Sequence, residues 1–293
     1  MNIKNLNIRA AAALLVTAAA WGLSYSAQAE AMKSMQVLSF VFLRYLIGAA
    51  IMLPFLFFGK RPSRKLLYGG IFCGIFLAGG EILQQFGLLF TTAGKAGFLT
   101  ALYVVMIPVF QYSKQSDVKI WIASIVSTAG TYLLCSDGTL NNFGNFGDFL
   151  MIICALFFAL QFIFIAKLAP EEPPLKFAAV EFATVAVISG ITSAICKETL
   201  TWNCITSTAA PLLYCGVIAV GIASTIQIAA QKYVTPATAS IILSTASVFA
   251  VLWGWLLLGE SYSKTNLIGC LLIFGAVLLC QIPQKKSETQ ENA

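Results

Sequence analysis

The chain has no histidine, and only 10% of its 293 residues are charged. The first absence removes imidazole metal ligands and histidine acid–base chemistry, so no metal site is expected. The second removes the water-soluble class, in which about 25% of residues are charged. With 59% hydrophobic residues and a mean hydropathy of +0.85, a soluble core of this length would leave apolar surface uncovered. The eight cysteines contain no C-x-x-C pair, and most lie inside apolar runs. They read as small residues packed in helices. Only Cys196 and Cys204 flank one expected external loop, and no disulfide is assigned to them. The net charge of +6 sits in short loops rather than on a face or tail, which argues against a nucleic-acid partner. A phosphate loop is missing too. Thr92-Ala93-Gly94-Lys95-Ala96 lacks an upstream glycine at the required spacing, a hydroxyl after Lys95 and a preceding strand. No cofactor is expected.

What is present is a series of ten apolar segments. They cover about 9–28, 36–58, 66–90, 94–113, 119–136, 146–167, 175–195, 208–231, 236–259 and 265–282. Each approaches the roughly 20 residues that a helical span needs. They are too long and too evenly apolar for the alternating strands of a barrel. The expected class is therefore an all-α integral membrane protein with ten transmembrane helices. Gly70-x-x-x-Gly74 and Gly79-Gly80 suit close helix approach in the third segment, and Pro54, Pro108 and Pro236 mark kinks or ends. With the N-terminus inside, 13 basic residues fall on the cytoplasmic side and 4 outside, with Arg44 within a span. That bias predicts two cytoplasmic termini in the cell membrane. The first segment also resembles a secretory signal, with Lys4, Arg9 and an Ala27-Gln28-Ala29 site. Trp21 and Tyr25 stand where a signal is plainly aliphatic, so the segment is read as a retained span.

The chain repeats itself faintly. Gln84–Phe110 aligns with Gln227–Trp253, an offset of 143 that matches Gln84 with Gln227 and Val105 with Val248. The second segment aligns with the seventh at an offset of 137, which matches Phe40 with Phe177 and Arg44 with Glu181. Five helices per half is an odd number, so the halves enter the membrane in opposite senses. The expectation is two inverted five-helix repeats, 1–140 and 141–293, with a substrate site between them near the midplane. Gln84 and Gln227 would then lie at mirrored depths.

On these residues the chain resembles the drug/metabolite transporter superfamily, specifically its EamA-type bacterial members. The matching features are Trp21-Gly22, Arg44-Tyr45, the run Gln84…Gly87-Leu88…Thr92-x-x-x-Ala96, Gly259-Glu260, Gly269 and Gly275. The sixth segment departs from it, with Phe157-Phe158-Ala159 where many members have Trp-Ala. The resemblance covers nearly the whole chain and implies a transporter, with export the favoured direction.

Charges inside a bilayer cost about 2.5–3.5 kcal/mol each on insertion scales, so each needs a partner or a purpose. Arg44 and Glu81 both fall about 12–14 Å below the outer surface at 1.5 Å per residue. They are expected to pair, either statically or as a contact that breaks and remakes on gating. Glu181 lies nearer the cytoplasmic end of its segment. There it is either a proton-coupling group or a carboxylate in the wet headgroup zone, with Lys232 the one base near enough to reach it. Gln84, Gln85, Gln161 and Gln227 offer donor and acceptor together, as amino-acid-like solutes require. Trp21, Tyr25, Tyr103 and Trp253 offer ring faces to the same cavity, and Ser244 completes the expected lining. The expected partners are a small-molecule substrate and the lipid bilayer, with the chain as monomer or homodimer.

The leading expectation is a secondary transporter of a small metabolite such as an amino acid. A membrane-embedded lipid-modifying enzyme is the first alternative. Its acid cluster is missing, because the adjacent acids Glu171-Glu172 sit in a proline-flanked turn. A non-transporting membrane subunit is the second, and it would not need buried Arg44, Glu81 and Glu181. An N-terminal tag should stay on the membrane-inserted protein; a mature N-terminus at Glu30 would remove the first span.

Overall fold

The computed structural model describes residues 3–90, 93–111, 118–135, 144–258 and 263–282. All regular structure among them is helical. Ten helices correspond to the ten segments: α1 (Leu6–Ala31), α2 (Val37–Phe57), α3 (Arg64–Gly87), α4 (Ala96–Phe110), α5 (Val118–Cys135), α6 (Phe146–Leu168), α7 (Pro174–Ile195), α8 (Ala209–Ala230), α9 (Pro236–Leu256) and α10 (Lys264–Gln281). All but α4 are long and apolar enough to cross a membrane, nine candidates among the described residues. The chain is a multi-pass membrane protein. The exception is α4, which is shorter and interrupted at Leu102, with Pro108 inside its second part. Thr91-Thr92, Gly259-Glu260 and the boundary at 140/141 lie outside the described residues.

Local chemistry sets the helix ends. The first free N–H groups of a helix need an acceptor, and short polar side chains supply it. Ser63 accepts from the Leu66 N–H at 2.9 Å, and Asn145 from the Asp148 N–H at 2.8 Å. Ser263 and Asn266 form a reciprocal capping box at the start of α10. Pro174 and Pro236 occupy the first turns of α7 and α9, where a missing N–H does no harm. One cap is supplied from a distance. The Glu198 carboxylate, just beyond α7, accepts from the Leu38 and Ser39 N–H groups of α2 at 3.1 and 2.7 Å. At the other end, Lys176 of α7 donates to the carbonyl of Lys60 beyond α2 at 2.5 Å. The two helices are thus braced at both ends.

The main packing pairs are α5 on α10, α2 on α7, α3 on α6 with α1 on α8, α3 on α7 with α2 on α8, and α1 on α9 with α4 on α6. Exchanging each helix with the one five places along converts this set into itself. Lipid gives no hydrophobic drive between helices, so close van der Waals fit must hold them together. Glycines supply it. A Cβ on Gly130 would lie 2.8 Å from the Gly269 carbonyl oxygen, and one on Gly269 2.6 Å from that of Gly130. Gly70 and Gly74 of α3 face Val180, Glu181 and Thr184 of α7. Helix α1 is built into the bundle, with Leu14, Thr17 and Ala18 fully buried. All eight cysteines are free, including Cys196 and Cys204.

Two helices break at matching points. The turn at Leu102 separates Ala93–Ala101 from Tyr103–Phe110, and Ser244-Thr245 separates Pro236–Leu243 from the rest of α9. Leu102 and Thr245 are 143 residues apart. The Ser244 and Thr245 hydroxyls donate to the carbonyls of Ile241 and Ile242, each at 2.6 Å, which answers acceptors that the break releases. Helix α8 carries a π-helical segment, Tyr214–Ser224, whose Ala219 carbonyl accepts from the Trp21 indole at 3.1 Å.

Gly130→Ala should lower stability in detergent by about 1–3 kcal/mol, because the added methyl meets backbone that has no room to yield. Gly275→Ala, where nothing lies within 4 Å, should melt like the parent. Equal melting of the two variants would mean that the α5–α10 contact is not a tight one.

Candidate functional site

A cavity of about 110 Å³ lies among α1–α4 and α6–α9. Helix α1 gives it Trp21, Ser24, Tyr25 and Gln28, and α6 gives Phe158, Gln161 and Phe162. Arg44 and Tyr45 come from α2, Glu181 and Phe182 from α7. Leu77, Glu81 and Gln84 of α3 face Ala219, Val220, Ser224 and Gln227 of α8. Thr100 and Tyr103 of α4 and Leu243 and Ala246 of α9 complete the wall beside the two breaks.

The lining is a set of matched pairs. An offset of 137 relates Trp21 to Phe158, Ser24 to Gln161, Tyr25 to Phe162, Arg44 to Glu181 and Tyr45 to Phe182. An offset of 143 relates Leu77 to Val220, Glu81 to Ser224, Gln84 to Gln227, Thr100 to Leu243 and Tyr103 to Ala246. Only Gln28 and Ala219 stand outside the ten pairs. The Tyr45 and Phe182 rings meet edge to face, 6.0 Å between centroids.

The charges are arranged unequally. Arg44 Nη2 bonds Glu81 Oε2, and the Tyr45 hydroxyl donates to Glu81 Oε1 at 2.7 Å. The guanidinium also lies 5.3 Å from the Phe40 ring centre and 5.4 Å from that of Tyr45. Glu181 is fully buried. Its Oε1 accepts from Gln161 Nε2 at 2.9 Å, while Oε2 has no partner. Gln227 Nε2 and Arg44 Nε are likewise buried without an acceptor.

Of the residues picked from sequence, Trp21, Tyr25, Gln84, Tyr103, Gln161, Gln227, Arg44, Glu81 and Glu181 all lie on this cavity. Three do not. Gln85 is fully buried behind the wall and donates to the Gln28 side-chain oxygen, because one residue along a helix turns the side chain by about 100°. Ser244 is turned toward α5, with its oxygen 2.8 Å from that of Ser127. Trp253 points its indole at the Ala19 carbonyl, 3.1 Å away, and ties α9 to α1. Glu181 is buried inside the bundle rather than exposed to water, and Lys232 does not reach it, since its ammonium is bonded to the Glu172 carbonyl. Gln84 and Gln227 share the one cavity. The sequence reading passed over Ser24, Gln28, Tyr45, Thr100 and the phenylalanines at 158, 162 and 182. Extending the two offsets to every candidate would have found three of them, Ser24, Phe158 and Phe162.

Residues 8–136 and 145–281 each match the EamA-like transporter family. The chain belongs to that family. Among similar proteins, an uncharacterized transporter of Archaeoglobus fulgidus is 29% identical over 272 residues, covering 92% of this chain and 84% of the other. The uncharacterized transporter YwfM of Bacillus subtilis is 25% identical, covering 96% of each chain. One solved crystal structure, 18% identical, superposes with a TM-score of 0.78 over 92% of this chain and 96% of that one, which shows a shared fold. The two family matches divide at residues 137–144, between α5 and α6. This EamA protein is accordingly a membrane transporter.

Removing one partner of a buried ion pair leaves a charge that nothing answers, at about 3–5 kcal/mol. Arg44→Gln should therefore melt well below the parent in detergent, while the double variant Arg44→Gln with Glu81→Gln recovers most of the loss. A double variant as unstable as the single one would mean that Arg44 acts through packing rather than charge.

Proposed function

We propose that the chain is a secondary transporter, built as two inverted five-helix repeats (1–140 and 141–293), that exports a small metabolite such as an amino acid by alternating access. The observation that carries this reading is the cavity itself. Its lining comes in matched pairs from the two halves and brings one base, two acids and four amides into a bundle of apolar helices. A static scaffold has no use for so many costly groups around a common space. Two halves related in this way can exchange conformations about the shared site, so that it faces each side in turn.

The helix breaks beside Tyr103 and Ala246 give each half a place to flex next to the substrate. In this scheme Arg44–Glu81 is the gating contact and Glu181 the coupling group. Trp21, Tyr25 and Tyr103 contribute ring faces, and Gln84, Gln161 and Gln227 contribute polar contacts. In this scheme both termini lie in the cytoplasm, the side that the asymmetry of basic loops favours. The driving energy is a gradient or exchange, and no chemistry is catalysed.

The test is flux in proteoliposomes with and without a proton gradient, over a panel of amino acids, amines and drugs. At least one class should cross at a rate that empty liposomes do not match. Gln84→Leu and Gln227→Leu should each cut that rate by about tenfold or more without loss of purified yield, since each removes a polar contact from a dry site. If nothing on the panel crosses, the transporter reading fails for it. Transport by Glu181→Gln with unchanged proton dependence would remove the coupling role.

A further inference from the structure

The two halves of the cavity are matched in position but not in charge. Arg44, Glu81 and Glu181 are the carboxylic acids and strong bases among the described lining residues, so one basic and two acidic side chains face the space. Glu81 is fully answered, by the Arg44 guanidinium and by the Tyr45 hydroxyl at 2.7 Å. Glu181 is not. It occupies the position equivalent to Arg44, and the position equivalent to Glu81 is Ser224, whose hydroxyl donates to the Ala219 carbonyl of its own helix at 3.1 Å. The second half therefore keeps a carboxylate and has no base to set against it. Two lysines of the neighbouring segments are engaged at the periphery, Lys176 of α7 on the Lys60 carbonyl and Lys232, just beyond α8, on the Glu172 carbonyl. Glu181 Oε2, fully buried, has no partner.

A lone carboxylate away from water is expensive unless something positive comes to it. The walls around it suit an organic cation. Tyr103 stacks on Phe162 with 5.4 Å between ring centres, and Phe182 stands next to Glu181 in sequence with its ring against Tyr45. Ring faces carry partial negative charge and attract ammonium groups, while their carbon surface takes up the alkyl part.

We infer that the cavity selects solutes of net positive charge, small organic amines or quaternary ammonium compounds, with Glu181 as their counter-ion. Zwitterions and anions would leave the extra negative charge uncompensated or add to it. This narrows the transporter reading, replacing the amino acid by an amine or ammonium solute, and rests on it for the word substrate, but binding can be measured without transport.

The experiment uses the purified full chain in detergent and follows binding by the fluorescence of Trp21, which lines the cavity, and by calorimetry. The probes are matched cation and carbon isosteres: choline against 3,3-dimethylbutan-1-ol, and tyramine against 4-propylphenol. The zwitterions are glycine betaine and tyrosine. In at least one pair the cation should bind about tenfold or more tighter than its neutral isostere and than the corresponding zwitterion. Glu181→Gln should reduce that preference to near one, with a melting curve to check that the variant is folded. Should it fail to fold, the preference within the pairs still decides for the parent protein. Neutral or zwitterionic members binding as well as the cations, or no cation binding in either pair, overturns the inference. The two proposals fail separately. Flux of neutral or anionic solutes alone would keep the transporter and remove the cation site. Cation binding without flux of any solute would do the reverse.

Discussion

An ion pair buried among apolar helices holds only if its charges are answered together. Arg44 Nη2 and both Glu81 oxygens are answered, with help from the Tyr45 hydroxyl and the ring faces of Phe40 and Tyr45, and only Arg44 Nε is left without an acceptor. Each charge alone would oppose insertion by about 2.5–3.5 kcal/mol. Together they hold α2 against α3 and put a polar wall where the rest of the bundle is carbon. The architecture around the cavity follows from that need. Helices must bring polar groups into a shared interior, and their outer faces must stay apolar.

Apolar outer faces leave little force to join one helix to the next, since lipid tails are as apolar as leucine. The bundle answers with small residues. Gly74 of α3 sits against the Glu181 carbonyl of α7, and Gly216 of α8 against the Arg44 carbonyl of α2. These two contacts are the same contact made twice, once by each half. They fix the backbone that carries the two equivalent charged positions. Accuracy at the site thus comes from backbone-to-backbone fit more than from the side chains that line it.

The spans were legible because length and apolarity are one-dimensional properties. Pro108 marked α4 as irregular, but its break at Leu102, six residues earlier, had no such sign. Rotation about each helix axis was not legible. In a soluble helix the polar face marks what is outside, but here lipid-facing and protein-facing sides are both apolar. Gln84 and Gln85 therefore looked equivalent, and only the structure separates the one in the cavity from the one behind it. Trp253 and Ser244 were misplaced for the same reason. Glu181 was misjudged differently: counting residues from a loop gives a depth, not a neighbour. Tyr45 and Phe182 were within reach of sequence reasoning, since each directly follows a residue already singled out, Arg44 and Glu181.

The α5–α10 contact shares with α2–α7 a property that the other main pairs lack. Swapping the halves turns α3 on α6 into α8 on α1, so those interfaces trade places. The seam at Gly130 and Gly269 turns into itself, glycine for glycine, with each carbonyl against the other's α-carbon. A joint of that kind has nothing to exchange when the molecule reverses. In the proposed cycle it is an axle: the surfaces around it slide and re-form, and it needs only to stay shut.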